Sequence, residues 1–306
     1  MRAKAIVKIC ICGTIALVLA SMLVSLLALP RVLDWKIGDL SFHWIDDHGS
    51  DEGYTVGEAS VSGEVRELDV SWLSGSVTVE LTDGDAVTLR EEPQPESSDA
   101  RMRWKLQDGK LTVYSQKSGL TIPTRAKQLT IGIPAGRAGK LQKLSLDLSA
   151  ASASLPALTL RELELDSVSG SVTLTGGSYE NLDFDSTSGD LTVTDAAVGE
   201  LSADTTSGSL TLDGAFETID FDTTSGALHL TTSILPQDIS CDTVSGGVTL
   251  TLPENGGFSA TLDSVSGDLT VDGFAGSLHR DEFVYGQGGP AYEFDSVSGD
   301  VHIRCA

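Results

Sequence analysis

Residues 163–174 read LELDSVSGSVTL, and the pentapeptide at the centre, Asp166-Ser-Val-Ser-Gly170, recurs down the rest of the chain. Later copies open at Asp185, Asp204, Asp222, Asp242, Asp263 and Asp295 and close at Gly189, Gly208, Gly226, Gly246, Gly267 and Gly299. Successive glycines are 19, 19, 18, 20, 21 and 32 residues apart, so one unit takes about 19 residues and the last interval holds an insertion. Apolar residues alternate on both sides of each motif, as in Leu163/Leu165 before it and Val172/Leu174 after it, which is the period of a half-buried strand. Two short strands and a bend cannot bury an apolar face alone. Stacking successive units about 4.8 Å apart turns those residues into ladders, so the sequence predicts an all-β fold, a parallel β-solenoid. The recurring Gly then serves a backbone angle or a close approach at the bend.

Two other repeat folds fit less well. A leucine-rich horseshoe needs an Asn or Cys ladder, and residues 161–306 hold just Asn181 and Asn255. A propeller blade takes about 40 residues. Upstream, Leu68–Glu80 (LDVSWLSGSVTVE) and Leu144–Leu158 (LSLDLSAASASLPAL) read as decayed coils, and the 95 residues from Gly75 to Gly170 would fit five units of 19. Asp108-Gly109 within Arg103–Ser115 is a hairpin signal, and Glu91–Ala100, rich in Pro, Ser and acid, reads as a mobile loop.

Charge is divided unevenly. Residues 161–306 hold 25 acidic residues against Arg161, Arg280 and Arg304, a net charge of −22 out of −24 for the whole chain. Nucleic acid is excluded as a partner for such a surface. At the other end, Arg2, Lys4 and Lys8 precede an uncharged apolar run from Ile9 to Leu29, about 30 Å long as a helix and enough to span a hydrocarbon core. The positive flank stays inside, which predicts a single-pass protein of the cell membrane with everything after residue 29 outside the cytoplasm. A cleaved signal peptide is the rival, but its apolar region is shorter, about 7–15 residues. The expected organisation is a cytoplasmic N-terminus (1–8), a transmembrane helix (9–29), a juxtamembrane linker (30–56), a decorated first part of the solenoid (57–160) and regular repeats (161–306) with an insertion at 273–290.

The anchor, the WLSGSVTV segment around Gly75, the DSVSGDLTV units and the closing VYGQGGPAYEFDSVSGDVHIR at Val284–Arg304 together resemble the putative-adhesin, β-strand-repeat family of bacterial domains of unknown function. The resemblance spans nearly everything after about Val56 and implies a β-repeat fold and a surface location.

Candidate sites are few. Asp166, Asp185, Asp204, Asp222, Asp242, Asp263 and Asp295 would fall in one column, where carboxylates could share a cation such as calcium. The alternative is that each Asp fixes its bend as an Asx-type turn. Seven copies of Ser-Gly single out no nucleophile, and a ladder of like aspartates lacks the unequal pair that glycan cleavage needs. His229 and His302 take the slot held by Thr173, Thr192, Thr211, Thr249 and Thr270, an outward row whose single column argues against binding to ice or a crystal surface. Cys241 and Cys305 read as small core residues. The irregular stretch Gly273–Pro290, with Phe274, Arg280, Phe283 and Tyr285 and nearby Tyr292, is either a cap over the last coil or a partner-binding feature. These readings predict no enzyme and no cofactor, but a scaffold that binds an envelope protein or surface ligand. The alternatives are a glycan-active β-helix enzyme and a cation-dependent sensor or regulator of envelope stress.

Overall fold

The computed structural model describes residues 51–118, 126–279 and 281–306. The predicted N-terminal segment, the membrane helix, most of the linker and Arg280 lie outside them. Among the described residues no helix is long and apolar enough to cross a membrane.

The chain begins with β1 (Thr55–Val56), β2 (Ala59–Val61), β3 (Glu67–Thr82), β4 (Val87–Glu92), β5 (Arg103–Gln107), β6 (Lys110–Tyr114) and β7 (Lys127–Pro134), followed by the single turn α1 (Ala135–Ala138). Then come β8 (Lys143–Leu155), β9 (Thr159–Ser167), β10 (Val172–Thr175), β11 (Ser178–Ser186), β12 (Leu191–Thr205), β13 (Leu210–Thr223), β14 (Leu228–Thr232), β15 (Asp238–Thr243) and β16 (Val248–Leu252). The last are β17 (Gly257–Ser264), β18 (Leu269–Asp272), β19 (Ser277–His279), β20 (Glu282–Gly286), β21 (Ala291–Ser296) and β22 (Val301–Cys305). The fold is all-β and solenoid-like.

Two columns of parallel strands carry the repeat. The first runs β6, the start of β3, the start of β8, β9, β11, the end of β12, the end of β13, β15, β21, β17. The second runs β7, the end of β3, the end of β8, β10, the start of β12, the start of β13, β14, β16, β22, β18. The core lies between them, and each inward position makes a ladder of like size. Leu163, Leu182, Leu201 and Ile219 stack in register and are fully buried. Burying each such side chain contributes about 1.5–3 kcal/mol. One rung lower, Ala203 sits between Phe184 and Phe221, so two rings that would crowd each other at strand spacing are separated by a methyl group.

The order of the coils departs from the sequence. The Asp295 unit, β21 and β22, lies between the Asp242 and Asp263 units: β21 pairs with both β15 and β17. The insertion permits this, because β20 runs antiparallel along the outside of β17 and the chain then turns back into the stack. Five coils between Gly75 and Gly170 are not formed either. Gly75 pairs with Ala151, one coil away from Gly170, and the intervening residues close the N-terminal end with antiparallel strands. There, β5 covers β6 and β4 covers β7. The predicted hairpin is present, with Asp108 and Gly109 at φ 53° and 85°.

Glu91, expected to open a mobile loop, is 1% exposed. Its carboxylate accepts from the Met102 amide at 3.1 Å and from Lys127 Nζ at 2.6 Å. Lys127, 4% exposed, also donates to the Ala100 carbonyl at 2.8 Å and to the Ser115 carbonyl, and its ammonium lies 5.0 Å from the centre of the Trp72 ring. A buried charge needs such a set of partners.

Candidate functional site

The motif positions its own side chains. The residues one and three before each Asp point into the core, so the Asp points out, and the parallel register superposes every copy. Asp147, Asp166, Asp185, Asp204, Asp222, Asp242, Asp295 and Asp263 form one unbroken column in that order. All seven aspartates picked from the sequence are in it. Asp147 is an addition, hidden because its turn reads Leu-Ser-Ala-Ala instead of Ser-x-Ser-Gly.

The bend is made by the residue after the Asp, not by the carboxylate, so the Asx-turn expectation is corrected to a hydroxyl turn. Ser167, Ser186, Thr223, Thr243, Ser264 and Ser296 each accept from the Gly amide three residues on, at 2.5–2.9 Å. The second Ser ties neighbouring coils together, as when Ser188 donates to the Val168 carbonyl at 3.1 Å. The Gly is needed for close approach: a Cβ on Gly208 would lie 2.0 Å from the Gly189 carbonyl oxygen, and the same clash recurs up the stack.

With their hydroxyl neighbours used in turns, the aspartates face each other. A second outward column two residues earlier contains Glu164, Asp183, Asp220 and Glu293. Among the described residues a cation meets it at its beginning. Lys143 Nζ donates to Glu162 at 2.9 Å and to Glu164 at 2.5 Å, and that hydrogen bond holds the Glu164 carboxyl below its usual range. Further along, burial and then the repulsion of stacked neighbours raise Asp166, Asp204, Asp242 and Asp295 above the ordinary carboxylate range. Asp222, beside Asp242, Asp204 and Asp220, is pushed up to about 7, with burial again the larger cause. Among the described residues no three of His, Cys, Asp and Glu converge where they could hold a metal ion.

The opposite face carries the threonine row, and its columns are doubled at three levels: Thr173/Thr175, Thr192/Thr194 and Thr249/Thr251. Asp213, His229, Arg304 and Asp272 interrupt it, so it is neither single, as expected, nor regular. His302 Nε2 lies 2.8 Å from Asp272 Oδ2. Cys241 is buried and Cys305 partly so, and both are free thiols.

The C-terminal insertion gathers rings at the end of the core. Phe258 is fully buried, 5.0 Å from Phe274, 5.8 Å from Phe283 and 5.7 Å from Tyr292 between ring centres, and Tyr285 packs on Phe274 at 5.1 Å. Tyr292 Oη donates to the Pro236 carbonyl at 3.0 Å. Phe274, Phe283 and Tyr292 are thus buried in a plug, while Leu278 is 52% exposed. Sequence reasoning missed Phe258, the ring at the centre, because it lies in an ordinary repeat strand.

Comparison with known proteins agrees with this architecture. A crystal structure described as a putative adhesin from Bacteroides fragilis is 14% identical, with 83% of this chain and 98% of that chain covered at a TM-score of 0.50. A putative lipid binding protein from Parabacteroides distasonis is 15% identical, with 83% and 97% covered and a TM-score of 0.47. A putative adhesin from Parabacteroides merdae is 14% identical, with 85% and 98% covered and a TM-score of 0.46. No curated protein matches the sequence. Residues 65–304, from the first decayed coil to the last strand, match the model of the Toastrack DUF4097 family, and the chain belongs to that family.

Proposed function

We propose that this protein is a non-enzymatic scaffold of the cell envelope, an adhesin-type or envelope-interaction protein held in the membrane by residues 9–29 with the β-stack outside. The observation that carries this reading is the commitment of the repeat to architecture. The motif hydroxyls close turns and join coils, and the aspartates are spread evenly along an open strand face. Such a face suits a cationic partner held by many weak, salt-sensitive contacts. The description of the Bacteroides fragilis structure as a putative adhesin fits the same use of a related fold.

Glycan cleavage would need one protonated and one ionised carboxyl across a groove. Asp222 is perturbed, first by burial and then by the like charges stacked beside it in the column, without an unequal partner across a groove, which favours the scaffold.

The test is twofold. In intact cells with the outer face accessible, external protease should remove an epitope placed after residue 306, and purified full chain in detergent should retain polylysine at low salt and release it at high salt. A protected epitope overturns the topology. Indifference to polylysine overturns binding through the acidic face.

A further inference from the structure

Three of the four column ends are closed by antiparallel strands: β6 by β5, β7 by β4 and β17 by β20. The fourth is β18, whose single partner among the described strands is β22. Within the second column, the first amide of each strand donates to the next coil: Leu191 to the Ser209 carbonyl, Leu210 to Ala227, Leu228 to Gly247, Val248 to Asp300 and Val301 to Asp268, at 2.9–3.0 Å. The series ends at Leu269. In a parallel ladder alternate residues direct their backbone groups to opposite sides. Because the Asp268 carbonyl faces β22, Thr270 and Asp272 face it too, and the backbone groups of Leu269 and Val271 point out of the stack. Their side chains face the core yet are only partly buried, whereas Leu210, Leu212, Leu228 and Leu230 at the same positions are at most 1% exposed. Beside them Val265, in the adjoining turn, is 62% exposed.

We propose that the outer edge of β18 is a strand-addition site for an extended segment of a partner protein in which apolar and basic side chains alternate. Apolar side chains would extend the Leu269 and Val271 ladders, and main-chain groups would take up the interrupted hydrogen-bond series. The basic side chains follow from the charge at the edge. Asp268, Asp272 and Asp300 flank it, opposed by His302, which lies against Asp272, and by Arg304, which stands opposite Asp272 in β22 but donates to Thr251 Oγ1 of β16, away from the open edge. A second copy would bring the same aspartates, and a half-chain of charge −22, against this edge, so the occupant is a basic strand and not another molecule of this protein. The inference rests on reading the chain as a binding scaffold, but uses a surface separate from the aspartate face.

The experiment compares two blocked peptides on the detergent-solubilised full chain at physiological salt: TVKVKVT, and the same sequence with its valine and lysine backbone amides methylated, which removes the donors that face β18 in either strand direction. Both carry equal charge, so their ratio reports strand pairing alone. The unmodified peptide should bind roughly tenfold more tightly, Val271→Pro should abolish that ratio, and replacing the lysines by glutamate should weaken binding by at least about tenfold. Equal affinity of the two lysine peptides for the wild type overturns the proposal and leaves the polylysine result standing, because charge alone then accounts for binding. A ratio unchanged by Val271→Pro also overturns it. So does a concentration-dependent dimer that Val271→Pro dissolves, which assigns the edge to a second copy. If Val271→Pro does not fold, the ratio on the wild type and the glutamate peptide decide.

Discussion

The two ends of the stack solve the same problem with opposite chemistry. At the N-terminal end the core is closed around an ion pair, Lys127 on Glu91 under the Trp72 ring, whereas at the C-terminal end it is closed by Phe258, Phe274, Phe283 and Tyr292. A plug of rings tolerates loss of one polar contact. An ion pair at 4% and 1% exposure does not tolerate loss of one partner, because the other charge stays buried. The N-terminal end should therefore be the more brittle, and the regular coils between the ends should respond to volume and pH.

The sharpest break of that contrast is Lys127→Met, which leaves the Glu91 carboxylate stranded and should cost about 3–5 kcal/mol in denaturant unfolding. Replacing Glu91 by Leu in the same molecule should restore most of that loss; failure to do so would mean that the carbonyl contacts of Lys127, not the pair, hold this end. Next is Gly208→Ala, whose methyl meets the Gly189 carbonyl and should destabilise the stack by about 1–3 kcal/mol, with no loss expected from the same change at Gly136, where nothing lies within 4 Å.

A smaller effect is expected from pH. The folded carboxyl of Asp222 titrates near 7 and the unfolded one near the ordinary value of about 4, so the folded state binds the extra proton between them. The stability tied to that proton is fully present below about 4 and is lost as pH rises through 7. Asp222→Asn should raise the thermal midpoint at pH 8 by a few degrees and flatten its decline from pH 5 to 8; an unchanged slope would show that solvent screens the ladder. Least of all, Tyr292→Phe removes the bond to Pro236 and should cost about 1 kcal/mol.

The period of Asp and Gly was enough to read the coil, its two strands and the shared column of seven aspartates. Asp108-Gly109 likewise marked a hairpin, because a positive φ at two adjacent residues is a local demand. What could not be read is non-local. Asp263–Gly267 and Asp295–Gly299 have the same five letters, so nothing in either says which one neighbours Asp242. Glu91 meets a lysine 36 residues away and looks, in its own surroundings, like one more acid before a proline. The aromatic insertion was legible as a cap or a contact surface, but only coordinates bring Phe258 into its centre.

The displaced final coil has a consequence for assembly. A chain leaving the ribosome N-terminus first can zip each coil onto the last as far as the Asp242 unit, since every edge it needs already exists. There the process stops, for the surface that β17 and β18 rest on is made of residues 291–305, which are synthesised after them. The Asp242 edge stays bare until residues 291–305 arrive, so that stretch decides whether the stack is closed there or still sticky.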